Sequence, residues 1–193
     1  MKSNIKHLDM TFVESAAEYS QCLVHNEPEI AFVGASNAGK SSAINAISNQ
    51  KKLAKTSKTP GKTKLFNFFK LSHGYIVDFP GYGYSKVSKK QKKEWSKELP
   101  KYFDHRKNLI ASILFTDIRN PMREMDLSML NFAYSKGVPT LLVLTKSDKV
   151  STAEAEAISD HIQKNYGENL IFSIQEKASI QKLSSFINEL LSS

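Results

Sequence analysis

Residues 34–41, Gly-Ala-Ser-Asn-Ala-Gly-Lys-Ser, match the pattern G-x-x-x-x-G-K-[ST]. The apolar run "EIAFVG" (29–34) ahead of them predicts a buried strand, and a helix is expected from near Gly39 to about Ser48. That is the context in which this pattern cradles phosphate. Glycines at 34 and 39 let the backbone fold around an anion and aim its amides inward. The helix N-terminus adds unpaired N–H groups and a positive dipole end. Lys40 would then reach the β- and γ-phosphates, and the Ser41 hydroxyl would be given to Mg²⁺. A glycine-rich turn with an exposed lysine is the bland alternative, but pattern and context agree on a nucleoside triphosphate. Neither names the base or the reaction.

Three further groups follow strand-like runs. Asp78 ends "YIVDF" and opens D-x-x-G, "DFPG". A carboxylate here can hold Mg²⁺ through its water shell, and the Gly81 amide could meet the γ-phosphate, making the following loop sensitive to it. "TKSD" (145–148) follows "TLLVL". The Asp148 carboxylate can accept paired hydrogen bonds from guanine N1–H and its exocyclic amino group. Adenine presents no such pair. The stem of Lys146 can lie along the base. Thr145 stands where Asn is usual, which puts a side-chain bond from this position to the phosphate loop in question. Near the last strand end, Phe172, Ser173 and Ile174 would supply backbone amides to the guanine oxygen, a role in which side chains matter little. The loop "SKTPGKTKL" (57–65) holds two threonines able to complete a Mg²⁺ shell, and Thr63, just before the next strand, is preferred over Thr59.

The elements that must position these groups alternate along the chain. "KLFNFFKL" and "YIVDF" predict adjacent strands, with further short strands at 109–116, 139–145 and 170–173. Helical patterns separate them near 91–107, 124–136, 152–165 and 179–191. This order predicts an α/β fold, a mostly parallel central sheet with helices on both faces, whose ligands bind beyond the carboxyl ends of the strands. Residues 12–24 are mixed, helical or extended. At 193 residues, without repeats or linkers, the chain is expected to be one domain (1–193), with 1–27 as an N-terminal extension on or beside it.

Twenty-seven Lys+Arg against nineteen Asp+Glu leave a formal charge of +8, which favours a polyanionic partner. Cys22 is the single cysteine, so no internal disulfide or Cys-rich zinc site forms, and a reducing compartment fits. No apolar run approaches a membrane span, and neither a signal core nor a lipidation signal is visible. A cytoplasmic protein without a membrane anchor is expected, with monomer as the default state. The five histidines lack metal spacing.

Together these segments resemble the EngB/YsxC/YihA family of ribosome-biogenesis GTP-binding proteins, among the translation-factor-related P-loop GTPases. The likeness runs from about Glu29 to the end and rests on "SNAGKSS", "SKTPGKTKLFNFF", "VDFPGYGYSKV", "DIRNPMREMD" and "TKSD", in that order. It implies a P-loop GTPase domain acting in assembly of the large ribosomal subunit. It also implies nucleotide contacts at Gly34, Ala35, Ser36, Asn37, Ala38, Gly39, Lys40, Ser41 and Ser42. Others fall on Gly61, Lys62, Thr63, Lys64 and Leu65, on Asp78, Phe79, Pro80 and Gly81, on Thr145, Lys146, Ser147 and Asp148, and on Phe172, Ser173 and Ile174. Ser41 and Thr63 are the implied magnesium ligands, and Lys40, Thr63 and Gly81 the groups acting on the reacting phosphate. The chain departs from the family at Ala35 (commonly Arg), Phe79 (usually Leu) and Ile174 (usually small).

Many GTPases orient the attacking water with Gln directly after D-x-x-G. Tyr82 occupies that position here, so slow turnover is expected, on the order of the ~10⁻⁴ s⁻¹ of an unassisted GTPase, rising with a partner. Asn37 is open to two readings: a ligand for K⁺ in place of an arginine finger, or an Asn tolerated by a tight turn. The run "KVSKKQKKEWSK" (86–97) begins just past the D-x-x-G loop. Lys86, Lys89, Lys90, Lys92 and Lys93 make it either a solvated helix face or a patch for rRNA phosphates. Trp95 within it reads as a core anchor or a base-stacking platform. Arg119 in "DIRNP" reads as a family motif residue or an ion-pair partner. Competing readings are a membrane or trafficking switch and an RNA-binding module whose hydrolysis is incidental.

Overall fold

Short runs rich in Ile, Val, Phe and Leu, cut off by Gly, Pro or Asp, become strands, and polar segments of helical period between them become helices. The computed structural model describes residues 7–54, 66–83 and 89–192, and the side chains of 89–95 also lie outside the description. The candidates Thr59, Gly61, Lys62, Thr63, Lys64, Leu65, Lys86 and Tyr84, and the side chains of Lys89, Lys90, Lys92, Lys93 and Trp95, are therefore outside the described residues.

The strands are β1 (Thr11–Ala16), β2 (Glu29–Gly34), β3 (Phe66–Leu71), β4 (Gly74–Asp78), β5 (Leu109–Asp117), β6 (Thr140–Thr145) and β7 (Asn169–Phe172). The helices are α1 (Lys40–Ile47), α2 (Lys89–His105), α3 (Glu124–Ser135), α4 (Thr152–Tyr166) and α5 (Lys177–Ser192). Every helix and strand expected from the pattern is present within a few residues. The mixed stretch near the N-terminus is extended at first, where β1 joins the sheet beside β3, and then makes a 3-10 turn at Tyr19–Gln21.

The seven strands lie in the order β1-β3-β4-β2-β5-β6-β7. β3 runs antiparallel to both β1 and β4, while β4, β2, β5, β6 and β7 are mutually parallel. All of β2 and β4 is buried, as parallel strands covered by helices on both faces must be. Parallel direction also brings the carboxyl ends of these five strands to one edge of the sheet. Gly34, Asp78, Asp117, Thr145 and Phe172, separated by up to 138 positions in the chain (172 − 34), thereby become neighbours along that edge.

Two buried clusters steady the frame. Phe66, Phe79, Tyr102 and Phe103 pack edge-to-face or stacked, with Phe79 centred 5.0 Å from both Phe66 and Tyr102. At the opposite edge, the fully buried Glu29 accepts from Tyr102 Oη at 2.7 Å and from Arg106 Nη2 at 2.6 Å, and lies 2.8 Å from His25. A buried carboxylate is tolerable only with such a complete set of donors. The cluster pins residues 23–29 to the turn between α2 and β5, since Arg106 also donates to the Leu23 carbonyl oxygen and Asn108 to that of Glu27.

Candidate nucleotide site

The phosphate loop spans the gap from β2 to α1. Gly39, which precedes α1, has φ = 94°, a left-handed conformation that a side chain would strain. No side chain caps α1, so the first amides of that helix face the loop with their hydrogen-bonding capacity unspent. Asn37 is also left-handed, with φ = 66°. Lys40 is buried at the start of α1, where its Nζ meets Asp78 Oδ1 and donates to the Phe79 carbonyl oxygen at 2.6 Å. Burial raises the Asp78 carboxyl pKa, and the Lys40 charge opposes that rise. A cation held at Asp78 and an anion held at Lys40 would therefore be immediate neighbours.

Those oxygens suit magnesium. Ser41 and Asp78 offer hard oxygen donors, and the described residues contain no group of three or more His, Cys, Asp or Glu able to form a metal cage. Mg²⁺ needs no such cage, because it takes one or two protein oxygens together with phosphate oxygens and water.

The D-x-x-G segment is fastened to the phosphate loop by its backbone. Ser36 N donates to the Tyr82 carbonyl oxygen at 2.8 Å, Tyr82 N to that of Gly34 at 3.3 Å, and Ser36 Oγ to that of Gly81 at 3.0 Å. A Cβ on Gly81 would sit 2.9 Å from Ser36 backbone atoms, so only glycine allows this approach. Phe79 fills the aromatic cluster beneath. Tyr82 points inward, 5% exposed, and donates to Asp126 Oδ1 at 2.7 Å. Neither Tyr82's partner nor Asp126's role was evident from sequence. The only signal was the position of "DIRNPMREMD" directly after a strand.

On the base side, the doubt about Thr145 is resolved in favour of the bond. Its hydroxyl donates to the Ala38 carbonyl oxygen at 2.6 Å, with the Thr116 carbonyl oxygen 3.0 Å away. A hydroxyl is short, but Thr145 lies deep enough at the end of β6 to span the gap. Lys146, left-handed at φ = 62°, donates to the Asn37 carbonyl oxygen at 2.7 Å and to Asp117 Oδ2 at 2.8 Å. Asp117 in turn accepts from Arg119 through Nε at 2.9 Å and Nη2 at 2.7 Å. Arg119 is thus the ion-pair partner among its two readings. Its guanidinium, and then Lys146, hold the Asp117 carboxyl well below the usual carboxylate range, against its partial burial.

The Ser173 side chain corrects a second expectation. Its hydroxyl donates to Asp148 Oδ1 at 2.7 Å, so it orients the carboxylate expected to read guanine. Gln175 Nε2 at 3.3 Å and Lys149 Nζ at 2.9 Å approach Oδ2. Lys149 first, and Ser173 next, lower the Asp148 pKa. Ser173 N donates to Ser179 Oγ at 3.1 Å and is already committed, whereas Ile174, 51% exposed, stands at the open side. Sequence pointed to these three residues as backbone donors alone. A serine whose hydroxyl supports a carboxylate 25 positions earlier carries no local pattern.

Sheet, loop and strand-end residues define a P-loop GTPase domain. A family model described as a 50S ribosome-binding GTPase matches residues 29–146. The probable GTP-binding protein EngB of Mannheimia succiniciproducens is 42% identical over 189 residues, covering 94% of this chain and 92% of that protein. A crystal structure of a probable GTP-binding protein EngB aligns with a TM-score of 0.69 at 21% identity, over 85% of this chain and 98% of that one. A structure of Era in complex with MgGDPNP and nucleotides 1506–1542 of 16S ribosomal RNA aligns with a TM-score of 0.64 at 19% identity, over 87% of this chain and 57% of that one, a likeness of fold. The chain belongs to the EngB family of GTP-binding proteins, and its activity is hydrolysis of GTP to GDP and phosphate. Among the described residues no helix is long and apolar enough to cross a membrane.

Proposed function

We propose that this GTPase is a nucleotide-dependent switch in assembly of the large ribosomal subunit. It works as one cytoplasmic domain with slow intrinsic hydrolysis, and it binds rRNA through the lysine run 86–93. The observation that carries the reading is the backbone zipper between Ser36 and Gly81–Tyr82. A phosphate held in the loop would be felt directly by the segment that leads into the lysines at the start of α2.

In this reading the phosphates lie along residues 34–42, with Lys40 neutralising the charge that develops between β- and γ-phosphates. Ser41 and Thr63 would hold Mg²⁺ directly and Asp78 would hold it through water, and the ion would supply charge neutralisation across the phosphates. The Gly81 amide would face the γ-phosphate, and residues 61–65 would supply further contacts to the nucleotide. Asp148, steadied by Ser173, reads the guanine edge, the Ile174 amide meets the guanine oxygen, and the Lys146 stem packs along the base.

Tyr82 spends its hydroxyl on Asp126. It does not replace a water-orienting glutamine, which supports a turnover of ~10⁻⁴ s⁻¹ for the isolated protein. The left-handed backbone at Asn37 suits the tight-turn reading and leaves its side chain available for the potassium reading. Potassium would enter the reading only if hydrolysis ran faster in K⁺ than in Na⁺.

The family description names the 50S particle, and Era's RNA belongs to 16S. The likeness to Era is one of fold alone, so the large subunit is the favoured partner. Co-sedimentation with large ribosomal subunits should be stronger with a GTP analogue than with GDP. Substituting Lys89, Lys90, Lys92 and Lys93 by Glu should abolish the difference while sparing GTP binding. Equal pelleting in both nucleotide forms, or unchanged pelleting of the substituted protein, would refute the switch or the patch respectively.

A further inference from the structure

Tyr82 would be an ordinary surface residue if its place after D-x-x-G served only to continue a loop. Instead its phenol is buried against a carboxylate that is itself wholly inaccessible. Asp126 Oδ1 accepts from Tyr82 Oη at 2.7 Å, and Oδ2 accepts from Thr116 Oγ1 at 3.1 Å and from Arg123 N at 3.2 Å. The Arg123 guanidinium Nε stands 3.6 Å from Oδ2. Thr116 belongs to β5 and also accepts from Met122 N at 3.3 Å, while Asp126 lies in the first turn of α3. Each of these donors comes from the fixed frame except Tyr82, which comes from the segment that reads the phosphate.

The backbone of the same residue is the other half of the arrangement. The Tyr82 carbonyl accepts from Ser36 N, its amide donates to the Gly34 carbonyl, and Gly81 is pressed against Ser36. Tyr82 is therefore held from both sides, by backbone to the phosphate loop and by side chain to α3 and β5. A buried carboxylate acceptor makes the side-chain tie strong and directional. Moving Gly81 away from the phosphate loop would require breaking the phenol–carboxylate bond or bending the residue between its two anchors.

We propose that Tyr82 is a positioning residue for GTP hydrolysis. Through Asp126 it anchors the Gly81–Tyr82 backbone at the depth where the Gly81 amide can meet the γ-phosphate. Asp126, Thr116 and Arg123 form the seat for that anchor, and the seat is independent of the guanine-reading end of the site. The inference rests on the reading that Gly81 faces the γ-phosphate, and on no property of the ribosome.

The anchor acts on the third phosphate only, which separates it from a general contribution to stability. Tyr82→Phe keeps the ring and its packing and removes the donor. Its affinity for a non-hydrolysable GTP analogue should fall about 10-fold, as for loss of a hydrogen bond to a charged group. Affinity for GDP should stay within about 2-fold, and kcat should fall with the analogue affinity rather than with the GDP affinity. Asp126→Ala, which removes the acceptor, should produce the same selective loss, and the double variant should be no worse than the weaker single one, because both remove one tie.

Gly81→Ala provides the reference. If it weakens the analogue selectively and Tyr82→Phe does not, the anchor is refuted and the γ-phosphate reading stands. If neither discriminates analogue from GDP, the γ-phosphate reading fails and the anchor with it. Additive losses in the double variant, or equal losses for analogue and GDP, would also overturn the proposal. Should Asp126→Ala not fold, the analogue-to-GDP affinity ratio of Tyr82→Phe decides alone.

Discussion

Thr145→Val tests the link between the base side and the phosphate loop. Valine is nearly isosteric, so the space that the side chain fills beside Gly39 stays filled. What is lost is the hydroxyl that donates to the Ala38 carbonyl at 2.6 Å, at a site 2% exposed. Water cannot replace the donor, so the exposed-surface discount does not apply. A net hydrogen bond is worth about 1 kcal/mol, and an acceptor deprived of a buried donor costs about 1–3 kcal/mol more when nothing else reaches it. Part of that second cost is relieved by relaxation of the loop, which puts the expected destabilisation at about 1.5 kcal/mol. For a domain of this size that corresponds to a fall in melting temperature of about 3–6 °C. Differential scanning calorimetry measures the shift, and titration with fluorescent GTP and GDP should find both weakened by the same factor, because the loop holds the phosphates they share. Thr145→Asn, whose amide can donate to the same carbonyl, should recover most of the loss. A valine variant melting within 1 °C of the parent, with unchanged affinities, would mean the hydroxyl ties nothing.

Ser173→Ala should weaken GTP and GDP equally, by about 5-fold. This is the loss of a bond to a charged acceptor, discounted because Asp148 is partly exposed and keeps Lys149 as a partner. Competition binding checks it, and undiminished guanine affinity would remove Ser173 from the site. Burial pushes the Cys22 thiol up to about 12 from 9.0, so the folded state keeps a proton that the unfolded chain gives up. The sign follows: stability is full below pH 9 and declines as pH rises towards 12. Between pH 9 and pH 10 the parent should lose about 1 kcal/mol more than Cys22→Ala in denaturant titrations, because the unfolded thiol is only half ionised at the start of that interval. Identical pH profiles of the two proteins would contradict the burial of the thiol.

Periodicity and motif spacing determined most of the architecture. Alternating apolar strands and helical segments specify a parallel α/β sheet, because each pattern buries one kind of element on one kind of neighbour. The phosphate loop was equally legible, since its chemistry is local: Gly39 must be left-handed, and Lys40 must stand at a helix start. "DFPG" and "TKSD" could be placed because each follows a strand, and strand ends converge in such sheets. The N-terminal strand was not legible, because β1 is an edge strand with mixed exposure and depends on β3 for its hydrogen bonds.

The tertiary structure alone decided which side chains complete the site. Thr145 retains the tie to Ala38, and Ser173 supports Asp148 across 25 positions. Asp117 holds Lys146 from the neighbouring strand end, and Asp126 seats Tyr82 across 44 positions. None of these pairs has a spacing rule, because hydrogen bonds between separate strand ends and helices depend on distance in space. Residue types show that a donor or acceptor exists; only the packing of β4, β2, β5, β6 and β7 beside one another determines which partner it reaches.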